Sequence, residues 1–228
     1  MKLTWLILLA IAPSIAIGLF VYLKDKYEKE PVLLMVKCFF LGVLSIIPPI
    51  IIENAFQYVG ISISEDVTIT LVYAFLGVGL SEELSKFMML RYGVYKKAAF
   101  NEPMDGIVYA VFISLGFATA ENLLYVLNGG ISVAILRMFT AVPAHGAFAI
   151  LMGFYVGKAK FSFHPKLYMF LGLIVAALVH GLYDFFLFQM NIIPLRLVSL
   201  GVLILAIFFS IRAIRIHVRN SPFRDSIE

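Results

Sequence analysis

Seven runs of about 20 apolar residues are separated by loops too short to fold alone, and this leaves the chain one main solvent, lipid. The runs cover residues 3–23, 32–52, 67–90, 104–127, 137–156, 167–189 and 192–211. Between them the longest loops, 53–66 and 92–103, hold about a dozen residues, far below domain size. The balance of 62% hydrophobic to 14% charged residues cannot be hidden inside a soluble globule of this size, where about 25% charged residues are usual. Disorder and a disulfide scaffold are excluded as well, since Cys38 is the only cysteine. The expected fold is all-α: a polytopic transmembrane helical bundle of about seven spans, forming a single domain over residues 1–228.

Basic residues set the expected orientation. Lys24, Lys26 and Lys29 follow the first run, and Arg91, Lys96 and Lys97 follow the third. Lys158, Lys160 and Lys166 follow the fifth, and Arg212, Arg215, Arg219 and Arg224 follow the last. Those thirteen of the 18 basic residues lie on one side; the other side has Lys2, Arg137 and Arg196. Under the positive-inside rule the N-terminus is outside and the C-terminus inside. The first run is expected to persist as a span, because it is too long for a signal peptide and its stronger basic flank follows it.

Ionisable residues also occur deep in the runs: Glu82, Glu83 and Lys86 in the third, Glu121 in the fourth, His145 in the fifth, His180 and Asp184 in the sixth. Five acids or lysines at helix centres cost on the order of 15 kcal/mol before pairing, against a whole-protein stability of about 5–15 kcal/mol. They must therefore face one another or interior water. Lys86 lies three and four residues after the two glutamates, so it reaches either. His180 and Asp184 lie one turn apart on one face, so the acid can fix the imidazole tautomer. Counting residues from the span midpoints puts these groups in one layer, with Glu121 and Asp184 displaced toward the outside. A water-filled cavity open to the outer face is expected. Asp105, near the inner end of its run, reads as an acid in a first helical turn, satisfied by the helix dipole. Gly42, Gly77, Gly79, Gly116, Gly153 and Gly157 read as sites of close helix packing.

The run from Ser81 through Glu82, Glu83, Leu84 and Ser85 to Lys86 resembles the EExxK motif of the PrsW family of intramembrane proteases. Gly116 to Asn122 resembles that family's FxxxEN motif; His145-Gly146 and His180-Gly181-Leu182-Tyr183-Asp184 resemble its two histidine motifs. Tyr22 to Asp25, Glu30-Pro31 and Met152 to Lys160 resemble it too. The motifs fall in order on separate spans, with the motif-bearing core at about 67–190. The resemblance implies a peptidase of the bacterial cell membrane, in a superfamily that includes the CAAX prenyl proteases. Its implied task is the first, outer-side cut in a single-span anti-sigma factor, as part of a stress response. Relative to the CAAX branch, Glu121 stands where a histidine is usual and Asp184 where an asparagine is, so CAAX substrates are not implied.

Chemically, no Ser–His–Asp or Cys–His set lies in the layer, so water is the expected nucleophile. Hydrolysis needs a base, oxyanion donors and an acid for the leaving amine. Expected catalytic residues are Glu82 as base, with Glu83, His180, Glu121, His145 and Asp184, supported by Lys86 and Asn122. No cofactor and no nucleic acid are expected; lipid and a single-span substrate are. Zinc remains an alternative, since two histidines and several carboxylates could hold it. The metal-free reading is preferred because no i, i+4 histidine pair exists and Lys86 opposes a second cation. A transporter or proton relay, or a non-catalytic scaffold, are the readings from other classes.

Overall fold

The seven runs become helices because lipid leaves the backbone no other partner than its own chain. The structure, a computed structural model, describes residues 3–189 and 192–224; Lys2 lies outside the described residues. Among the described residues every regular element is a helix: α1 (Leu3–Lys24), α2 (Val32–Leu44), α3 (Ile47–Tyr58), α4 (Val67–Val72), a π-helical stretch (Tyr73–Leu80), α5 (Ser81–Gly93), α6 (Pro103–Phe139), α7 (Ala141–Lys160), α8 (Pro165–Leu187) and α9 (Ile193–Arg219). Six helical segments are long and apolar enough to cross a membrane. The expected fourth and fifth spans share one segment, Pro103–Lys160.

That segment doubles back. Gly130 has φ 72°, a left-handed conformation that only glycine adopts cheaply, and it breaks α6 in two. A straight helix would hold residues 121 and 137 about 24 Å apart, yet Arg137 Nη2 lies 2.6 Å from Glu121 Oε2. α7 then runs antiparallel to α6: the backbones of Gly106 and Gly153 touch near one end, and Ser114 Oγ donates to the His145 carbonyl at 3.0 Å further along. The residues between the fourth and fifth apolar runs are thus mostly helix, the second arm of α6. The first half of α6 is buried on nearly every side, as an all-round apolar helix should be, and forms the bundle's axis.

Small residues set the spacing around that axis. A Cβ on Gly42 would lie 1.8 Å from the Ile113 carbonyl oxygen, and one on Gly116 would lie 1.9 Å from that of Phe39. α2 and α6 therefore cross with backbones in contact, as small residues allow in membranes. Gly79, Gly153 and Gly157 likewise meet neighbouring backbone, as expected, whereas Gly77 faces the side chains of Tyr73 and Phe56. Gly116→Ala is expected to cost about 1–3 kcal/mol, because the obstacle is a carbonyl and not a flexible side chain. Gly201, with nothing within 4 Å, supplies the control: Gly201→Ala should leave thermal unfolding in detergent unchanged. Equal stability of the two variants would refute the close crossing.

Two helices depart from a simple span. Ser45 and Ile46 separate α2 from α3, and Pro48 and Pro49 at the start of α3 remove backbone donors there. α3 runs on to Tyr58, so Glu53, expected to begin a loop, is helical. The third run opens into π turns at Tyr73–Leu80, directly before the two glutamates.

Loops 25–31 and 94–102 meet at the basic end, where Asn101 Nδ2 donates to Glu28 Oε1 at 3.0 Å and Lys160 Nζ to the Tyr95 carbonyl at 2.5 Å. Asp105 caps the start of α6: its Oδ2 accepts from the Asn101 and Glu102 amides at 2.6 and 2.7 Å. The expectation of a satisfied acid holds for that oxygen only, because Asp105 Oδ1 is buried without a partner. Burial also pushes the carboxyls of Asp25 and Glu102 up to about 7 and that of Glu30 up to about 10.

Candidate active site

The π turns deliver the first motif. Gly79 packs on the backbone of α8, where an added Cβ would lie 2.8 Å from Gly181 N. That close approach carries Glu83 to His180, whose Nδ1 is 2.9 Å from Glu83 Oε1. Ser81 Oγ donates to the Gly77 carbonyl at 2.6 Å, and Ser85 Oγ to the Ser45 carbonyl at 2.6 Å, tying α5 to the α2–α3 break.

Lys86 is the hub. Its ammonium donates to Glu82 Oε2 at 3.0 Å, Glu83 Oε1 at 2.8 Å and His145 Nδ1 at 3.1 Å. All three N–H groups are thereby used, and the ring of Phe117 lies 4.0 Å below. Because an ammonium only donates, His145 Nδ1 must accept, so His145 is neutral with its hydrogen on Nε2. That hydrogen points to Glu121 Oε2 at 2.9 Å. Glu121 Oε2 also accepts from Arg137, whose Nε donates to Asn122 Oδ1 at 2.9 Å. Asn122 Nδ2 is anchored on the Ala10 carbonyl at 2.9 Å. On the other side His180 Nε2 lies 3.1 Å from Asp184 Oδ2. Carboxylates flank both nitrogens of His180, and both bonds are made when both nitrogens carry hydrogen. Phe148 stacks on that ring with centroids 4.8 Å apart.

A cavity of about 470 Å³ opens beside this layer. Glu82, Glu121, His145, His180 and Asp184 line it. Five of the six expected catalytic residues therefore meet one space, toward the end opposite the basic loops. Glu83 does not line it: fully buried, it lies behind Glu82 in contact with Lys86 and His180. Lys86 and Asn122 also lie outside the lining. Glu82, only 4% exposed, has His145 Nδ1 and His180 Nε2 each 4.0 Å from its Oε2.

Sequence reasoning missed Arg137, Glu53, Gln57 and Tyr73 in the wall. Arg137 was counted as an outer loop cation, since nothing local marks its return to Glu121. Glu53 and Gln57 could have been found from their i, i+4 spacing, which continues the face of Pro49 and Ile50 into the cavity. Tyr73 accepts from Gln57 Nε2 at 2.9 Å. Cys38 is fully buried among core side chains away from the layer.

A multi-pass helical bundle with a buried acid–imidazole–lysine layer opening on a cavity is the architecture of a membrane-embedded hydrolase. The comparisons make the class specific. The chain matches the PrsW family intramembrane metalloprotease over residues 30–212. It is 39% identical to Protease PrsW of Geobacillus kaustophilus over 183 residues, covering 80% of this chain and 79% of that protein. It is 39% identical to Protease PrsW of Bacillus subtilis (78% and 80% covered) and 37% identical to that of Clostridioides difficile (80% and 79%). No solved structure matches the chain. The chain belongs to the PrsW family, and it is a multi-pass membrane peptidase.

The family's description implies a metal. The donor kinds fit one: Glu82, Glu83, His145 and His180 each offer one ligand atom, all within 4.8 Å of one another. The arrangement does not. Lys86 Nζ lies 2.8–3.1 Å from three of those four groups, so an ion bound by them would be pressed against an ammonium already satisfied there. As built, the set is filled by the protein's own cation.

Proposed function

We propose that this chain is an endopeptidase that cuts a single-span membrane protein within or beside its span, using water activated by Glu82. The observation that carries the reading is Glu82 itself. It is the one carboxylate of its pair that meets the cavity, and an imidazole edge lies 4.0 Å away on either side. Glu82 takes a proton from water as the oxygen attacks the scissile carbonyl. The carbonyl oxygen becomes an oxyanion and takes the hydrogen bond of His180 Nε2 in place of Asp184 Oδ2, in a ring held by Glu83 on its far nitrogen. The protonated Glu82 carboxyl then gives its proton to the departing amine, which restores the carboxylate. His145 and Glu121 form the opposite wall, fixed by Lys86 and Arg137. Glu83 and Lys86 act as positioning residues.

The proposed substrate is a single-span anti-sigma factor, and the proposed cut is the first one, on the outer side. The family resemblance supports that choice, together with a cavity that opens away from the basic loops. The test is co-expression of such a factor with the native chain or with His180→Ala at matched membrane levels. The native chain should release a shortened fragment, cut near the outer end of the span by mass spectrometry, and His180→Ala should not. The same fragment at equal yield from both would overturn the assignment.

A zinc-dependent reading is favoured by the four-donor set and requires Lys86 to withdraw from it. Purified protein is expected to keep its activity after treatment with a strong zinc chelator and to contain no stoichiometric zinc. Activity that is lost on chelation and returns only with zinc would replace the metal-free mechanism.

A further inference from the structure

Away from the cavity, the bundle leaves an open seam between its first and last helices. α6 holds α1: Thr119 Oγ1 donates to Ser14 Oγ at 2.7 Å, and Asn122 Nδ2 to the Ala10 carbonyl at 2.9 Å. α7 holds α9: Ser210 Oγ donates to the Ala147 carbonyl at 3.0 Å, and His217 Nε2 to that of Phe154 at 2.9 Å. Among the described residues no hydrogen bond or ion pair joins α1 to α9. α1 reaches α7 at Gly146, where an added Cβ would lie 3.2 Å from Ile17 Cγ2. What remains is a crevice of about 180 Å³. Ile17 and Phe20 of α1, Ala147 and Ile150 of α7, and Ile207 and Ile211 of α9 form its walls. The polar side chain there is Ser210, and its hydrogen is already spent on Ala147.

Toward the basic end the seam widens into a pocket of about 330 Å³. Lys24 and Lys26 line it from the end of α1 and the residues after it, Arg215 and Arg219 from α9. Ile214 lines both pocket and crevice, and Lys24 Nζ lies 5.5 Å from the ring of Phe20 in the crevice wall. The two spaces are therefore continuous along both helices. Four cations meet in the pocket with no acid in its lining, and among the described residues none of the four has an ion pair. Helix C-termini suit Lys24 and Arg219, but they give no reason for Lys26 and Arg215. Like charges gathered in this way repel one another and attract an anion.

The ligand must then be anionic at one end and apolar along its length. Arg215 and Arg219 lie one helical turn apart, and a guanidinium fork matches a phosphate diester. Ile207 to Arg219 spans about 18 Å along α9, which is one leaflet of a hydrocarbon core about 30 Å thick with the phosphate level added. We propose that this seam is a binding site for one anionic phospholipid, with its phosphate among Lys24, Lys26, Arg215 and Arg219 and one acyl chain in the crevice. The lipid joins α1 to α9, which the protein leaves unbonded. The site lies outside the cavity wall and is independent of the peptidase mechanism.

The test uses the full chain, delipidated in a neutral detergent and titrated with dioleoyl phosphatidylglycerol or dioleoyl phosphatidylcholine. Native mass spectrometry counts the bound lipid. Native protein is expected to hold one phosphatidylglycerol at least about tenfold more tightly than phosphatidylcholine. Lys26→Gln/Arg215→Gln removes two of the four cations, both on exposed side chains, and should weaken that binding about 30-fold. Arg212→Gln removes the same kind of charge from α9 outside the pocket lining and should bind as native does. Ile211→Trp fills the crevice and should weaken binding too, while millimolar inorganic phosphate should not displace the lipid. Equal affinity for the two lipids would overturn the proposal, and so would a loss from Arg212→Gln as large as that from the double variant, which would mean a diffuse basic surface. Displacement by phosphate, with Ile211→Trp binding as native, would assign the pocket to a soluble phosphate. Displacement by an equimolar single-span peptide with an acidic flank would assign the seam to a protein helix. Should Ile211→Trp not fold, the preference between the lipids and the contrast of the double variant with Arg212→Gln decide.

Discussion

Glu82→Gln should reduce cleavage by about 10²–10⁴-fold, the usual worth of a positioned general base, with little change in folding. Glutamine keeps an oxygen to accept from Lys86, so the hub survives while the basic oxygen is lost. Its neighbour gives the contrast. Glu83 has the same chemistry and the same lysine, but it is walled off from the cavity and holds Nδ1 of His180. Glu83→Gln should therefore slow the reaction less than Glu82→Gln does, by loosening the imidazole and not by removing the base. Cys38→Ala should leave turnover as it is, since that thiol has no access to the layer. The measurement is initial cleavage rate per unit of folded enzyme in detergent or proteoliposomes. Equal rates for native and Glu82→Gln would remove Glu82 from the chemistry, and a larger loss from Glu83→Gln would exchange the two roles.

The second large effect is on stability. Lys86→Met should destabilise the bundle by about 3–5 kcal/mol, the range seen when one partner of a buried ion pair is deleted. Two carboxylates then remain side by side with only the His180 ring to offset them, and His145 Nδ1 loses its donor. For a chain of this length that is a fall in thermal midpoint of roughly 10 °C. The double variant Lys86→Met/Glu83→Gln should recover a substantial part of the loss, because only one of the orphaned charges then stays ionised. A fall below about 2 °C in the single variant, or no recovery in the double, would show that the lysine is not what holds the layer together.

The positions of the spans and of the polar layer could be read from the sequence because both follow from the same insertion arithmetic. Long apolar runs must cross, and charges inside them must meet. Lys86 on Glu82 and Glu83, and His180 on Asp184, required only helical spacing. What escaped was set by tertiary contact. The π turns at Tyr73–Leu80 have no periodicity that would announce them. The break at Ser45 was marked by Pro48 and Pro49, yet hydropathy ran through it unchanged. Arg137 could not be assigned to Glu121, because the reversal depends on one backbone angle at Gly130. Asp105 was read as content with a helix dipole, and only the surrounding acids make its second oxygen an anomaly. The separation of Glu83 from Glu82 into a hidden and a cavity-facing carboxylate was equally beyond a one-dimensional reading, since adjacent residues differ by about 100° of helix rotation and the layer's facing was unknown.

The pairing of charges has a consequence for how the protein is made. Each charge of the polar layer has its counterion within the stretch of chain that would leave the insertion machinery with it. Glu82 and Glu83 leave with Lys86, Glu121 with Arg137 on the returning arm of the same hairpin, and Asp184 with His180. No acid of that layer has to wait in lipid for a helix not yet synthesised, at a cost of about 2.5–3.5 kcal/mol for each exposed charge. The bonds between separate segments, from Lys86 to His145 and from Glu83 to His180, can then form last, by lateral docking of hairpins that are already electrically nearly neutral. Assembly of the layer is thus a late step that joins prepared parts, and substitutions at those two contacts should yield protein that inserts normally and fails afterwards.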